Sequence, residues 1–93
     1  MDPIKPATKR EIIIRMINNL LSPQRTESAT NSLRYLDLIL AVSPDSVEYR
    51  LERAGFRRRT GDIVGAKQDL KWLLDKEAPG LDLERIAELY RSL

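Results

Sequence analysis

This 93-residue chain contains no cysteine and no histidine. The first absence removes disulfides, thiolate nucleophiles and thiolate metal sites. The second removes the commonest general base, the commonest metal ligand and the one side chain that titrates near neutrality. Aromatics are sparse, with one Trp, one Phe and three Tyr, too few to supply the stacking platforms of a single-strand nucleic-acid binder. Long apolar runs are missing too: Ile12-Ile13-Ile14 and Leu38 to Val42 fall far short of a bilayer span. The opening Met1-Asp2-Pro3-Ile4-Lys5-Pro6 lacks the apolar core of a secretory signal. A net charge of +2 is too small by itself to imply a nucleic-acid partner. The expectation is a cytoplasmic protein with no cofactor, no metal and no membrane partner.

What the chain does have, 42% hydrophobic and 32% charged residues, is the balance of one small folded domain with a modest core. Residues 1–7 carry two prolines and read as an extended lead-in. Thr8 with Glu11 forms a capping box, so a helix should begin there. Ile13, Met16, Ile17 and Leu20 follow at helical spacing, Pro23 closes the element, and Ser22 to Glu27 reads as a loop. A second helix over 28–42 places Leu33, Leu36, Ile39 and Leu40 on one face. Asp45 with Glu48 offers another capping box, opening a helix over about 46–60. Gly61 suits a left-handed helix stop, and a fourth helix over 62–77 carries Ile63, Ala66, Leu70, Leu73 and Leu74. Pro79-Gly80 breaks the chain again. Asp82 caps a last helix over 82–92, with Leu81 placed to staple onto Ile86. Five helices and no strand are expected.

Two of these segments repeat. Ser32 to Leu40 aligns with Ala66 to Leu74 at a distance of about 34 residues, so that Leu36 falls on Leu70, Ile39 on Leu73 and Leu40 on Leu74. Pro44 and Pro79 follow the two segments. A period near 34 built from helix pairs is the mark of tetratricopeptide-type arrays, whose units bury one face against a neighbour and offer another to a partner. The Gly61-Asp62 turn, Ala66 five residues after Gly61 and Ala54 seven before it resemble that pattern, small residues being needed where helices cross closely. The first repeat departs from it: Glu27 and Ser32 stand where Gly and Ala are expected, and Leu20 replaces the small residue. The second departs with Arg50, Arg53 and Arg57 at positions that are usually large and apolar. A register shifted by one, using Leu51 and Gly55, fits as well. The expected fold is all-α, two stacked antiparallel helical hairpins of tetratricopeptide-like kind plus a C-terminal capping helix.

A narrower likeness lies in Lys9 to Leu20, with its Arg15-Met16-x-x-Asn19-Leu20 core, followed by Ser43-Pro44-Asp45, Glu52-Arg53-Ala54 and Gln68-Asp69-Leu70. From about Pro6 onward the chain resembles the C-terminal region of the Sir-type invasion-regulator family, which joins a transglutaminase-like domain to a short tetratricopeptide-type tail. The resemblance implies that this chain corresponds to the tail. The family's Cys-His-Asp-like constellation would lie elsewhere, because this sequence has neither Cys nor His. The implied role is protein–protein contact or accessory support, its partner a protein or peptide, including an N-terminal catalytic domain of the same parent chain.

Several residues stand out as candidate partner contacts. Arg50, Arg53, Arg57, Arg58 and Arg59, with Lys67 and Lys71 on the next helix, form the densest basic cluster. It could dock acidic peptides, phosphate groups or nucleic acid; the plainer reading is a solvated helix face paired with Glu48, Glu52 and Asp69, or docking within a larger protein. Trp72, off the main stripe of its helix, reads either as an interface anchor or as packing against the fifth helix near Leu83 or Tyr90. Asn18 and Asn19 resemble the polar pair with which tetratricopeptide grooves grip a peptide backbone, and one of them should face outward. Ile12 and Ile14 lie off the Ile13/Ile17 stripe, as a docking surface or as the rest of the core. Asp37, Asp69 and Asp75 form neither an acid–base pair nor a metal loop. A basic helical nucleic-acid-binding module remains the alternative function.

Overall fold

The computed structural model describes residues 8–93; the lead-in expected over 1–7 lies outside the described residues. Five helices follow one another with no strand among the described residues: α1 (Lys9–Glu27), α2 (Ala29–Val42), α3 (Val47–Arg59), α4 (Ile63–Asp75) and α5 (Leu83–Ser92). Close backbone approaches between helices join chain neighbours only. None of the helices is long and apolar enough to cross a membrane.

Local chemistry starts and stops most of these elements where the sequence places the signals. Thr8 Oγ1 accepts from the Glu11 amide at 3.1 Å, and Glu11 Oε2 accepts from the Thr8 amide at 3.3 Å. Asp62 and Asp82 cap α4 and α5 through the amides of Gly65 and Arg85. After α3, Gly61 adopts φ +87; its amide donates to Arg58 O and that of Asp62 to Arg57 O. This is the paired-bond Schellman ending. The same ending closes α4, where the amides of Glu77 and Ala78 donate to Leu74 O and Leu73 O. There a glutamate occupies the left-handed position, at φ 47. The caps Ser28 and Asp62 open α2 and α4 at the 34-residue spacing of the repeat.

Three expectations are corrected. Ser22 to Glu27 is helical, with Pro23 inside α1. Proline removes one helical hydrogen bond and costs about 3 kcal/mol in a helix interior. Tertiary contacts hold the turn regardless: Leu21 is fully buried, and Arg25 reaches Glu52 on α3 with both Nε and Nη2. Ser28 then serves as C-cap of α1 and N-cap of α2 at once. Secondly, Asp45 and Glu48 form no capping box; Ser46 is the N-cap of α3, without a side-chain bond. Thirdly, the core stripe of α1 is displaced. Ile14, Ile17 and Leu21 face the interior, while Ile13, Met16 and Leu20 are exposed.

Two apolar clusters flank α3. Leu21, Leu36, Ile39 and Phe56 form one with Ile14, Ile17 and Leu33 around it; Ala54, Leu70, Leu73, Ala78 and Ile86 form the other, against which Leu81 packs. The repeat-matched pairs Leu36/Leu70 and Ile39/Leu73 are all buried. Ala54 and Ala66 are buried as well, whereas Gly55 is exposed and a Cβ there would meet nothing within 4 Å. Ala54, not Gly55, is therefore the small residue inside the packing. Ser32 occupies the other small position, its hydroxyl donating back to Ser28 O at 2.8 Å.

Candidate functional site

Arg50, Arg53 and Arg57 recur at three- and four-residue spacing, which puts them on one face of α3. That face turns inward, onto a carboxylate of α4. Asp69 is 1% exposed. Its Oδ1 accepts from Arg53 Nη2 at 2.7 Å and its Oδ2 from Arg53 Nε at 3.0 Å, a two-pronged pair. Arg57 Nη1 adds a bond to Oδ2 at 3.0 Å, and Arg50 Nη1 one to Oδ1 at 3.5 Å. Arg53 Nη1 then reaches across to Asp37 on α2, at 3.0 Å. The result is a charged seam through which α3 ties α2 to α4, in the place where the repeat pattern anticipates large apolar side chains.

The seam is built with small neighbours and backbone help. Arg57 Nη1 also donates to Gly65 O at 3.2 Å; a Cβ at Gly65 would strike the Asp62 carboxylate and come within 3.0 Å of Arg57 Cδ. Arg50 Nη2 donates to Pro44 O at 2.7 Å, and its guanidinium lies 4.2 Å from the centre of the Trp72 ring. Electrostatically the arginines are unequal. Hydrogen bonding to Asp69 raises the Arg53 pKa above its ordinary value. Burial, reinforced by the charge of Arg53, lowers that of Arg50, whose Nε is buried without a partner. Arg50 is the cation held most loosely by Asp69, at 3.5 Å, and the face of Trp72 supplies it a second partner.

The candidate residues therefore separate. Arg50, Arg53 and Arg57 meet at Asp69, whereas Arg58 and Arg59 are exposed, Arg59 lying over the Phe56 ring at 5.3 Å. The pairing expected with Glu48 and Glu52 does not occur: Glu52 is taken by Arg25, and Glu48 forms no ion pair among the described residues. Lys67 sits over Tyr90 at 5.4 Å, and Lys71 is exposed. Trp72 is half-buried against the cluster that contains Ile86 of α5, with the Arg50 and Lys76 cations 4.2 and 5.9 Å from its ring centre. Asn18 is engaged internally, its Oδ1 accepting from Arg25 Nη2 at 3.1 Å; Asn19 is the outward one of the pair.

Sequence reasoning paired Asp69 with the arginines but on a solvated face, and so missed that the pairing is buried. It also assigned the outer side of α1, apart from Ile12, to the core. Met16 is 62% exposed, Leu20 55%, Ile12 46% and Ile13 44%. Ile13, Met16 and Leu20 form this side because the doublets Ile13-Ile14, Met16-Ile17 and Leu20-Leu21 feed two adjacent stripes, of which only the second reaches the core; Ile12 lies beside the outer one. A smaller apolar recess of about 100 Å³ lies between α3 and α5, lined by Leu51, Gly55, Leu89 and Leu93, with Arg58 beside them. No cluster of acidic residues suited to a metal ion occurs among the described residues. Comparison with protein-family models, with curated proteins and with solved structures returns no match for this chain.

Proposed function

We propose that this chain is a protein-contact module, a short tetratricopeptide-like stack of two helical hairpins with α5 covering one end and no chemistry of its own. The observation that carries the reading is the exposed apolar side of α1. A terminal helix of a stacked array needs a polar outer face to stay soluble by itself, and α1 has the opposite. Contiguous exposed apolar surface of this kind marks an interaction site. At the other end, α5 buries its apolar stripe and turns Glu84, Arg85, Glu88 and Arg91 outward. The repeat spacing of the caps and the buried Ala54 and Ala66 support the tetratricopeptide-like arrangement. The resemblance to the tail of transglutaminase-like proteins supports an accessory role.

The arginine seam favours protein over nucleic acid as partner. Three of the five clustered arginines are spent on Asp69 and Asp37, which leaves too few outward cations in one place for phosphate tracking. The test is site-specific photo-cross-linking in cells, with a benzophenone side chain at position 16 and a control at exposed Gln68. Protein adducts from position 16 and none from 68 are expected. No adduct from position 16 would overturn the reading.

A further inference from the structure

The outer side of α1 carries a second, longer pattern. Lys9, Ile13, Met16, Leu20, Pro23 and Glu27 are spaced by four, three, four, three and four residues, and every one of them is exposed. Alternating steps of three and four are the a/d seam of a coiled coil, the spacing that keeps one line of side chains facing a partner helix. The inner contacts of α1 use a different line, Ile14, Ile17 and Leu21. The seam is thus surplus to the fold of one chain. At 1.5 Å per residue it runs about 27 Å, short enough that the drift of a straight helix from the heptad stays tolerable.

Resting on the protein-contact reading, we infer that the occupant of this seam is a second copy of the same helix, lying antiparallel across a twofold axis near Asn18. The charges at the ends of the line select that partner. Antiparallel pairing about this point sets Lys9 against Glu27 of the other copy, twice by symmetry. It also sets Ile13 against Pro23 and Met16 against Leu20. Parallel pairing would set Lys9 on Lys9 and Glu27 on Glu27, which is repulsive. Neither Lys9 nor Glu27 enters an ion pair within the described residues of its own chain, so both are available. Antiparallel helices also oppose their macrodipoles favourably. Asn19, exposed and beside the axis, meets its own counterpart there, and a pair of carboxamides can donate and accept across such an axis. Ile12 flanks the seam and widens its apolar cover.

Sedimentation equilibrium of the full chain from about 5 to 500 µM tests the inference, since micromolar to sub-millimolar association lies within that range. A monomer–dimer equilibrium is expected. Lys9→Glu alone should weaken it about tenfold, because both symmetric pairs become repulsive. Glu27→Lys alone should do the same, and the double variant Lys9→Glu/Glu27→Lys should restore it. Met16→Glu should weaken it at least about a hundredfold while the far-ultraviolet circular dichroism stays unchanged. Parallel pairing or unspecific adhesion predicts no rescue by the double swap, and that result would overturn the antiparallel assignment. A monomer throughout the range would overturn self-association. The protein-contact reading survives that outcome if position 16 still cross-links, with an adduct heavier than the chain by something other than its own mass. If position 16 yields no adduct, the broader reading falls instead.

Discussion

Asp69→Asn should be among the most damaging single substitutions available in this chain, although it changes only two atoms' chemistry. The carboxylate is 1% exposed and takes four hydrogen bonds from three guanidinium groups. Neutralising it leaves Arg53 and Arg57 facing only Asp37 and Asp62, whose side chains are more than half exposed, and Arg50 facing no carboxylate. Removing one partner of a buried ionic cluster costs about 3–5 kcal/mol, because the remaining charges stay desolvated. A domain of this size has about 5–14 kcal/mol in total, so about a fifth or more of its stability should go. The assay is urea denaturation followed by circular dichroism at 222 nm, with a thermal midpoint expected to fall by more than about 12 °C. Asp37→Asn is the internal control: the same Arg53 loses a partner, but a solvated one, and the cost should not exceed about 1 kcal/mol. A further arm replaces the whole cluster, with Arg50, Arg53 and Arg57 changed to Leu or Met together with Asp69→Leu. Its stability should match or exceed the parent's, since apolar packing commonly equals a buried ionic cluster. A loss below about 1 kcal/mol for Asp69→Asn would refute the reasoning, showing that water reaches the seam.

Other perturbations probe the backbone and the core. Leu36→Ala and Leu70→Ala, the repeat-matched buried pair, should each cost about 2–5 kcal/mol in the same denaturation assay. Gly55→Ala should gain about 0.5–1 kcal/mol, because the position is mid-helix with open space around the added methyl. Glu77→Gly should gain a similar amount by relieving the left-handed conformation at the end of α4. Gly61→Ala, at the equivalent position after α3, should lose about 1 kcal/mol.

Most element boundaries were legible because they depend on a few adjacent residues. Thr8 with Glu11, Gly61 with Asp62, and Asp82 carry their instructions locally, and distant packing had nothing to add. Pro23 misled for the converse reason: its cost is local, while Leu21 and the Arg25–Glu52 pair that outweigh it depend on α3. The choice between Ile13/Met16/Leu20 and Ile14/Ile17/Leu21 was hidden by the apolar doublets, since both lines satisfy helical spacing equally well. Arg50, Arg53 and Arg57 were visible as a cluster, but their charge argued for the surface. Asp69 was visible as a pairing partner, but periodicity within α3 carries no information on how deeply α4 would bury it.

Arg53 has a consequence for the way the chain comes apart. Helices that approach closely only along the chain should, left to themselves, unzip from either end, each cluster melting at its own temperature. Arg53 spans that division: one guanidinium is held by Asp37 from the first half and by Asp69 from the second. The Asp37 side of that link is solvated and adds at most about 1 kcal/mol to the coupling; the stronger tie is α3 itself, which places Phe56 in one cluster and Ala54 in the other. A partner that stabilises α1 should therefore slow hydrogen exchange in α2 and α3 most, and in α4 only through α3.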